Sequence, residues 1–398
     1  MWDFTSPRKV IFGEDAIEYL SEQLFRHAFI VTDPQMRKYH LPLIEKQLNQ
    51  INAQITVFDE VKGEPTLKVV QKGAQLLSMT KPDVIIALGG GSVMDTAKGM
   101  WPIWANPSDG MDAIEGLNPF TALNLREKTS CILINIPTTS GTGSDVTWAT
   151  VLTDDSGKID RKASFGNREL VADVTILDPA LTKTMPSHLI AGTGLDALSH
   201  TIEGYLSTWQ NDFSDALLLH AFKLIWQNLP KAFEQAKEGE VDYGVREKLH
   251  NAATMAGWGF GNSQIILGHS LGHSLGAAFK IPHSQCIGIT TWYSLVYNRH
   301  TAADRIADLA QAVGLKGSSN QELIDKLILA MKELLIQLNL PLSLQDMKID
   351  KNTFEERIES VIDFALNDSG TLSNPRPVDY EDYVKIFNYL YEGKEIDF

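Results

Sequence analysis

Two different rhythms of apolar and polar positions divide the chain. Through the first half, short continuous apolar runs at residues 29–32, 55–58, 84–88 and 131–136 alternate with longer segments of helical period, such as residues 66–77. Runs of that length, rich in Val, Ile and Phe, predict β-strands, and their alternation with helices predicts βαβ units. The run VIIAL has no polar alternation, so both faces of its strand are expected to be buried, as in a parallel sheet covered by helices on each side.

Near residue 185 this rhythm stops. Beyond it the text is helix-periodic: Leu323, Leu327, Met331, Leu334 and Leu338 recur behind the start signal of Ser319 and Asn320, and Pro341 follows them. Pro179 and Pro186 punctuate the change. The expectation is a layered α/β domain over residues 1–185 and an all-helical domain over residues 186–398. No repeat and no low-complexity stretch interrupts either half.

Composition narrows the function more than the fold. A length of 398 residues is ample for two cores. A net charge of −15, without any Lys/Arg run, denies the chain the basic face that phosphate-backbone binding needs, so no nucleic acid is expected as a partner. The two cysteines, Cys131 and Cys286, form no CxxC pair, which favours a reducing cytoplasm over a disulfide framework. The start MWDFTSPRKVIFG lacks the basic-then-apolar pattern of a signal peptide, and no apolar run is long enough for a membrane span.

Three segments carry candidate cofactor chemistry. In ALGGGSVMDTAK, Ala87 to Lys98, a strand runs into Gly89, Gly90 and Gly91, and Ser92 is placed to cap a helix starting at about Val93. Glycines let a ligand approach the backbone, and a helix N-terminus offers N–H groups and a positive dipole end, both suited to a pyrophosphate. A plain strand-to-helix turn would also use these residues. PTTSGTGSDVT, Pro137 to Thr147, follows another strand and offers the hydroxyls of Thr138, Thr139, Ser140, Thr142 and Ser144, although a simple connector would read similarly. Two such loops at the carboxyl ends of parallel strands are where a nucleotide normally lies. Asp33 ends a third strand, where a carboxylate would accept from the ribose 2′-hydroxyl of NAD and repel the 2′-phosphate of NADP, unless it serves only the turn before Pro34.

The second half carries a candidate metal site. His269, His273 and His283 fall within the run GHSLGHSLGAAFKIPHSQ, and upstream Asp196 and His200 stand four apart in GLDALSH, hence on one helical face. A lone buried histidine is usually hydrogen-bonded packing, but several polar groups buried together in small-residue, apolar text call for a shared partner. Three imidazoles and one carboxylate suit Fe(II) or Zn(II), and an open coordination position would make the ion a Lewis acid.

With GGGSVMDTAK, PTTSGTGSDVT, GLDALSHTIEGY and H-x3-H-x9-H in this order, the chain resembles the iron-containing (group III) alcohol dehydrogenase family over essentially its whole length. Glycerol dehydrogenases and dehydroquinate synthase are relatives of that family. The resemblance implies a dehydroquinate synthase-like architecture: a Rossmann-like dinucleotide-binding domain over residues 1–185, a helical metal and catalytic domain over residues 186–398, and a homodimer. It implies Asp196, His200, His269 and His283 as metal ligands, with His273 near the substrate but not a principal ligand. As an imidazole, His273 is the candidate proton relay, the alternative being a residue that only orients a ligand. Gly90, Gly91, Ser92 and Asp95 match the pyrophosphate loop, Thr138, Thr139 and Thr142 match the second cofactor loop, and Asp33 matches the position favouring NAD(H) over NADP(H). Lys162, in IDRKAS, matches a lysine that reaches the nicotinamide ribose.

Two departures stand out: Pro282-His283-Ser284 where many members have Pro-His-Gly, and Glu64-Pro65-Thr66 where members often have Asn-Pro-Thr. The implied activity is hydride transfer between NAD(H) and small aliphatic alcohols, diols or aldehydes, with Trp148, Trp258, Phe260 and Trp292 as candidates for an apolar pocket wall. The rival readings are a polyol oxidoreductase like glycerol dehydrogenase, and a metal-dependent hydrolase or lyase, which would leave the two loops without work.

Overall fold

The computed structural model describes residues 3–154 and 161–398. Two compact units make it up, Met1–Thr184 and Met185–Phe398, a division one residue from the boundary expected at 185/186.

In the first unit the strands are β1 (Lys9–Phe12), β2 (His27–Thr32), β3 (Gln54–Phe58), β4 (Val84–Gly89), β5 (Ile132–Pro137), β6 (Ala149–Asp154), β7 (Arg161–Gly166) and β8 (Val174–Leu177). Six of them form one sheet in the order β1-β8-β5-β4-β2-β3, with every pairing parallel. The pair β6 and β7 forms a separate antiparallel hairpin. The helices are α1 (Pro34–Tyr39), α2 (Leu41–Gln50), α3 (Leu67–Thr80), α4 (Gly91–Ala105), α5 (Asp112–Glu115) and α6 (Leu125–Thr129).

The pleat explains why the apolar runs are continuous. Along β4, Ile85 and Ala87 point into one core with Phe29, Val31 and Leu133, under Val70 and Leu77 of α3 and Val93, Met94 and Ala97 of α4. Val84, Ile86 and Leu88 point into the opposite core with Ala28, Ile30, Ile134 and Ile136, under Leu41, Ile44 and Leu48 of α2. Each such aliphatic side chain taken out of water contributes about 1.5–3 kcal/mol, so the sheet's interior is stabilised from both sides. β1 and β8 were not legible as strands: each is only four residues long, and β1 lies on the sheet's edge, with its first and last residues exposed.

The second unit is helical: α7 (Ser187–Leu206), α8 (Asp212–Glu238), α9 (Tyr243–Phe260), α10 (Leu267–Phe279), α11 (His283–Asn298), α12 (Ala303–Ala312), α13 (Asn320–Gln337), α14 (Lys351–Leu366), α15 (Ser369–Leu372) and α16 (Tyr380–Glu392). The Ser319 hydroxyl accepts from the Glu322 N–H at 3.2 Å and so caps α13, whose Leu323, Leu327, Met331 and Leu334 enter the core as their spacing predicts. Helix α7 is buried almost throughout. Among the described residues, no helix is long and apolar enough to cross a membrane.

Candidate metal centre and cofactor loops

Asp196 and His200 lie one turn apart on α7, and both are buried. His269 is the third residue of α10, and His283 is the first of α11, behind Pro282 and a chain reversal at Lys280 with φ 56°. These three helices bring the four side chains together. The Oδ1 atom of Asp196 lies 3.4 Å from Nε2 of His283, 3.6 Å from Nε2 of His269 and 3.8 Å from Nε2 of His200. The His200 ring is stacked between two others: Phe260 at 4.0 Å and 13°, and His269 at 4.7 Å and 18°.

Ligand atoms of Asp196, His200 and His269 all lie within 4.8 Å of one another, a donor set that fits a metal ion, and His283 joins it through its 3.4 Å approach to Asp196 Oδ1. Ligand atoms about 2.0–2.2 Å from a tetrahedral ion stand about 3.3 Å from one another, close to the separations seen around Asp196 Oδ1. Both Asp196 Oδ1 and His269 Nε2 are buried without a hydrogen-bond partner. An orphaned buried polar atom costs about 1–3 kcal/mol, which coordination would offset. Burial alone would raise the Asp196 carboxyl's pKa, yet His200, His269 and His283 hold it well below the usual carboxylate range, so it is ionised and ready to ligate. At His283 burial prevails over the pull of Asp196 and lowers the imidazole's pKa, favouring the neutral form that ligates.

The buried carboxylate of Glu203, one turn beyond His200 on α7, escaped the sequence reading. Its Oε1 accepts from His269 Nδ1 at 2.9 Å and from the Ser199 hydroxyl at 3.0 Å, and its Oε2 accepts from the backbone N–H groups of Ile266 at 2.7 Å and His269 at 3.2 Å. Burial would lower the His269 imidazole's pKa, but Glu203, aided by Asp196, raises it to about 10, so ligation at Nε2 would displace a proton from that nitrogen while Nδ1–H stays bonded to Glu203. A signal was available, since a glutamate in the apolar text LSHTIEGYL needs a partner.

His273 lies beside the ligands, its ring stacked on His283 at 5.3 Å and 21°. Its Nδ1 is 2.8 Å from Oδ2 of Asp368, whose other oxygen accepts from the Gly370 N–H at 2.9 Å and the Ser270 hydroxyl at 3.1 Å. Burial opposes ionisation of Asp368, but His273 and these donors hold its pKa at about 2.

In the first unit the two loops meet. Helix α4 begins at Gly91, with Gly90 at the N-cap position and no side chain capping it. Ser92 therefore sits in the first turn rather than at the cap, a correction to the sequence expectation. The glycines allow the helix to start earlier and leave its end open to a ligand. A Cβ at Gly91 would come within 2.9 Å of the Thr142 side chain, and one at Gly90 within 3.3 Å of Thr139 Oγ1, so the small residues are what let the second loop lie against the first. The Thr138 N–H donates to Gly89 O at 3.0 Å.

Asp95 bridges the second loop and strand β6: its Oδ1 accepts from the Ser144 hydroxyl at 2.5 Å and its Oδ2 from the Val151 N–H of β6 at 2.9 Å. Both oxygens are thus engaged by the protein. Asn135, buried in β5, donates to Asp145 O at 3.1 Å and ties the same loop to the sheet.

Asp33 follows Thr32, which pairs with Leu88, and so stands at the strand ends next to the glycine loop. Its Oδ1 accepts from the N–H groups of Gln35 at 2.8 Å and Met36 at 2.9 Å, capping α1. The Lys162 side chain lies outside the described residues. Of the four aromatic candidates, Trp292 is a core residue with Lys332 Nζ 4.1 Å above its ring, whereas Phe260 touches the site through His200.

The chain resembles known proteins over nearly its whole length. The chain is similar to the NADPH-dependent butanol dehydrogenase of Clostridium saccharobutylicum, with 35% identity across 100% of both chains. It is similar to the 1-propanol dehydrogenase of Salmonella typhimurium, with 33% identity over 95% of this chain and 96% of that one. Among solved structures, the alcohol dehydrogenase from Oenococcus oeni superposes with a TM-score of 0.88 at 28% identity, over 98% of this chain and 100% of the other. The family model described as iron-containing alcohol dehydrogenase matches residues 7–179, and its C-terminal companion matches residues 190–391, so the chain belongs to the iron-containing alcohol dehydrogenase family.

Proposed function

We propose that this protein interconverts small aliphatic alcohols or diols and their aldehydes by hydride transfer with NAD(H), using one Fe(II) or Zn(II) ion held by Asp196, His200, His269 and His283. The observation carrying this reading is the convergence of the three imidazole Nε2 atoms on the unpartnered Oδ1 of Asp196. The ion supplies Lewis acidity toward the substrate oxygen, and the nicotinamide supplies or takes the hydride.

The protein's own groups do the rest. The open N-terminus of α4, with Gly90, Gly91 and Ser92, binds the pyrophosphate, and Thr138, Thr139 and Thr142 line the same loops. Asp95 acts by fixing the second loop, because its oxygens are already occupied. Lys162 is the candidate for the nicotinamide ribose. His273, held at Nδ1 by Asp368, is placed to exchange the reacting proton at its other nitrogen.

The names of the butanol and propanol dehydrogenases support short aliphatic substrates. Asp33 supports NAD(H), while the NADPH-dependent relative makes that preference the point most in need of measurement. A cytoplasmic homodimer is the assembly we propose. A hydrolase would leave the paired loops idle. Apoprotein reconstituted with Fe(II) or with Zn(II) should oxidise NADH in the presence of short aldehydes; turnover equal to that of the metal-free protein for every aldehyde and alcohol tried would overturn the proposal.

A further inference from the structure

We infer that Glu203 is a positioning residue of the metal centre, fixing the ring of His269 so that Nε2 carries the lone pair toward Asp196; the inference rests on the metal-site reading above. Glu203 is fully buried, and all four of its neighbours are donors: His269 Nδ1 and the Ser199 hydroxyl on Oε1, the Ile266 and His269 backbone N–H groups on Oε2. Two of these bonds cap the start of α10, whose N-cap residue Ile266 has no side chain able to do so. The same carboxylate therefore sets both the backbone and the ring of one ligand. With Nδ1 donating to Oε1, the imidazole's remaining nitrogen is Nε2, the atom 3.6 Å from Asp196 Oδ1. A carboxylate behind a ligating histidine commonly fixes its tautomer in this way.

The glycine preceding His269 belongs to the same device. A Cβ at Gly268 would stand 2.3 Å from Glu203 Oε1 and 3.0 Å from its carboxyl carbon. Any larger residue there would drive the carboxylate from its seat. The Gly-His pair in GHSLGH thus reads as a ligand together with the space its orienting carboxylate occupies.

Glu203→Gln tests this in the full-length protein. A glutamine offers one oxygen where two are used. The backbone N–H groups cannot reverse their role, so the oxygen is expected to face them and the NH2 to face His269 Nδ1. The ring proton then moves to Nε2, the atom required for ligation. Affinity for Co(II), measured by chelator competition, should fall about 10–100-fold. The visible ligand-field spectrum of the loaded protein should shift, while NADH binding stays at the parent value.

A merely structural cap would lower the melting temperature and leave the spectrum unmoved. Parent-like Co(II) affinity and spectrum in Glu203→Gln would overturn the inference while leaving the metal site intact. Failure of the parent protein to bind more Co(II) than His269→Ala would instead overturn the metal site itself. Should Glu203→Gln not fold, Gly268→Ala, which keeps the charge but displaces it, is expected to show the same loss and spectral shift, and parent-like values there would equally refute the inference.

Discussion

Lys98, near the middle of α4, donates a 2.9 Å hydrogen bond to the hydroxyl of Ser144 in the loop after β5. The same ammonium reaches Ala149 O at 2.8 Å, and Ser144 in turn donates to Asp95, so one buried cation ties the helix behind the glycine loop to the hydroxyl-rich loop. Lys98→Met removes these bonds without a large change in volume. Hydrogen bonds to a charged group are worth about 1.5–3 kcal/mol, so NADH affinity should fall about tenfold or more as the loops loosen. Fluorescence titration would show it, with metal content as the control; an unchanged Kd means the tie does not shape the cofactor site.

The same lysine predicts a pH dependence. Burial lowers its pKa from the ordinary 10.5 to about 8, against the pull of Asp95 and Asp145. Between those values the unfolded chain binds the extra proton, so stability rises with pH across the window and the cost of burying the charge is fully present below it. Denaturant unfolding of the parent protein minus that of Lys98→Met should therefore increase from about pH 8 toward 10.5. A flat difference would contradict the assignment.

His283→Ala removes the nitrogen 3.4 Å from Asp196 Oδ1. Because His283 is only partly buried, with 33% of its side chain exposed at the start of α11, the fold should survive. Metal content after dialysis should drop well below one ion per chain and turnover should vanish. Full activity in metal-free His283→Ala would end the metal-centred account.

Asp33 caps α1, and one substitution can separate that cap from its proposed role in choosing NAD(H). Asparagine caps a helix about as well as aspartate, so Asp33→Asn keeps the bonds to Gln35 and Met36 but removes the charge facing a 2′-phosphate. The ratio of kcat/KM for NADP(H) to that for NAD(H) should rise severalfold with little change in Tm. A constant ratio would leave Asp33 as a cap alone.

What the sequence revealed, and what it hid, follows from distance along the chain. The buried strand VIIAL, the Asp196/His200 pair and the helix start at Ser319 each depend on spacings inside one element, and spacing is written in the text. Partners set by packing are not. Asp368 reaches His273 across 95 positions and Glu203 reaches His269 across 66, and no local period announces either contact. Ser92 misled because serine is a favoured cap, whereas a glycine run needs none to turn into a helix. Trp292 misled because an aromatic ring in helical text looks the same lining a pocket as filling a core.

All four proposed metal ligands belong to Met185–Phe398, and both cofactor loops belong to Met1–Thr184. On the proposed roles, two separate stretches of gene encode the choice of electron carrier and the handling of the substrate's oxygen. Mutation can retune the first without touching the second, and a lineage could move between cellular reductant pools while inheriting its metal chemistry unaltered.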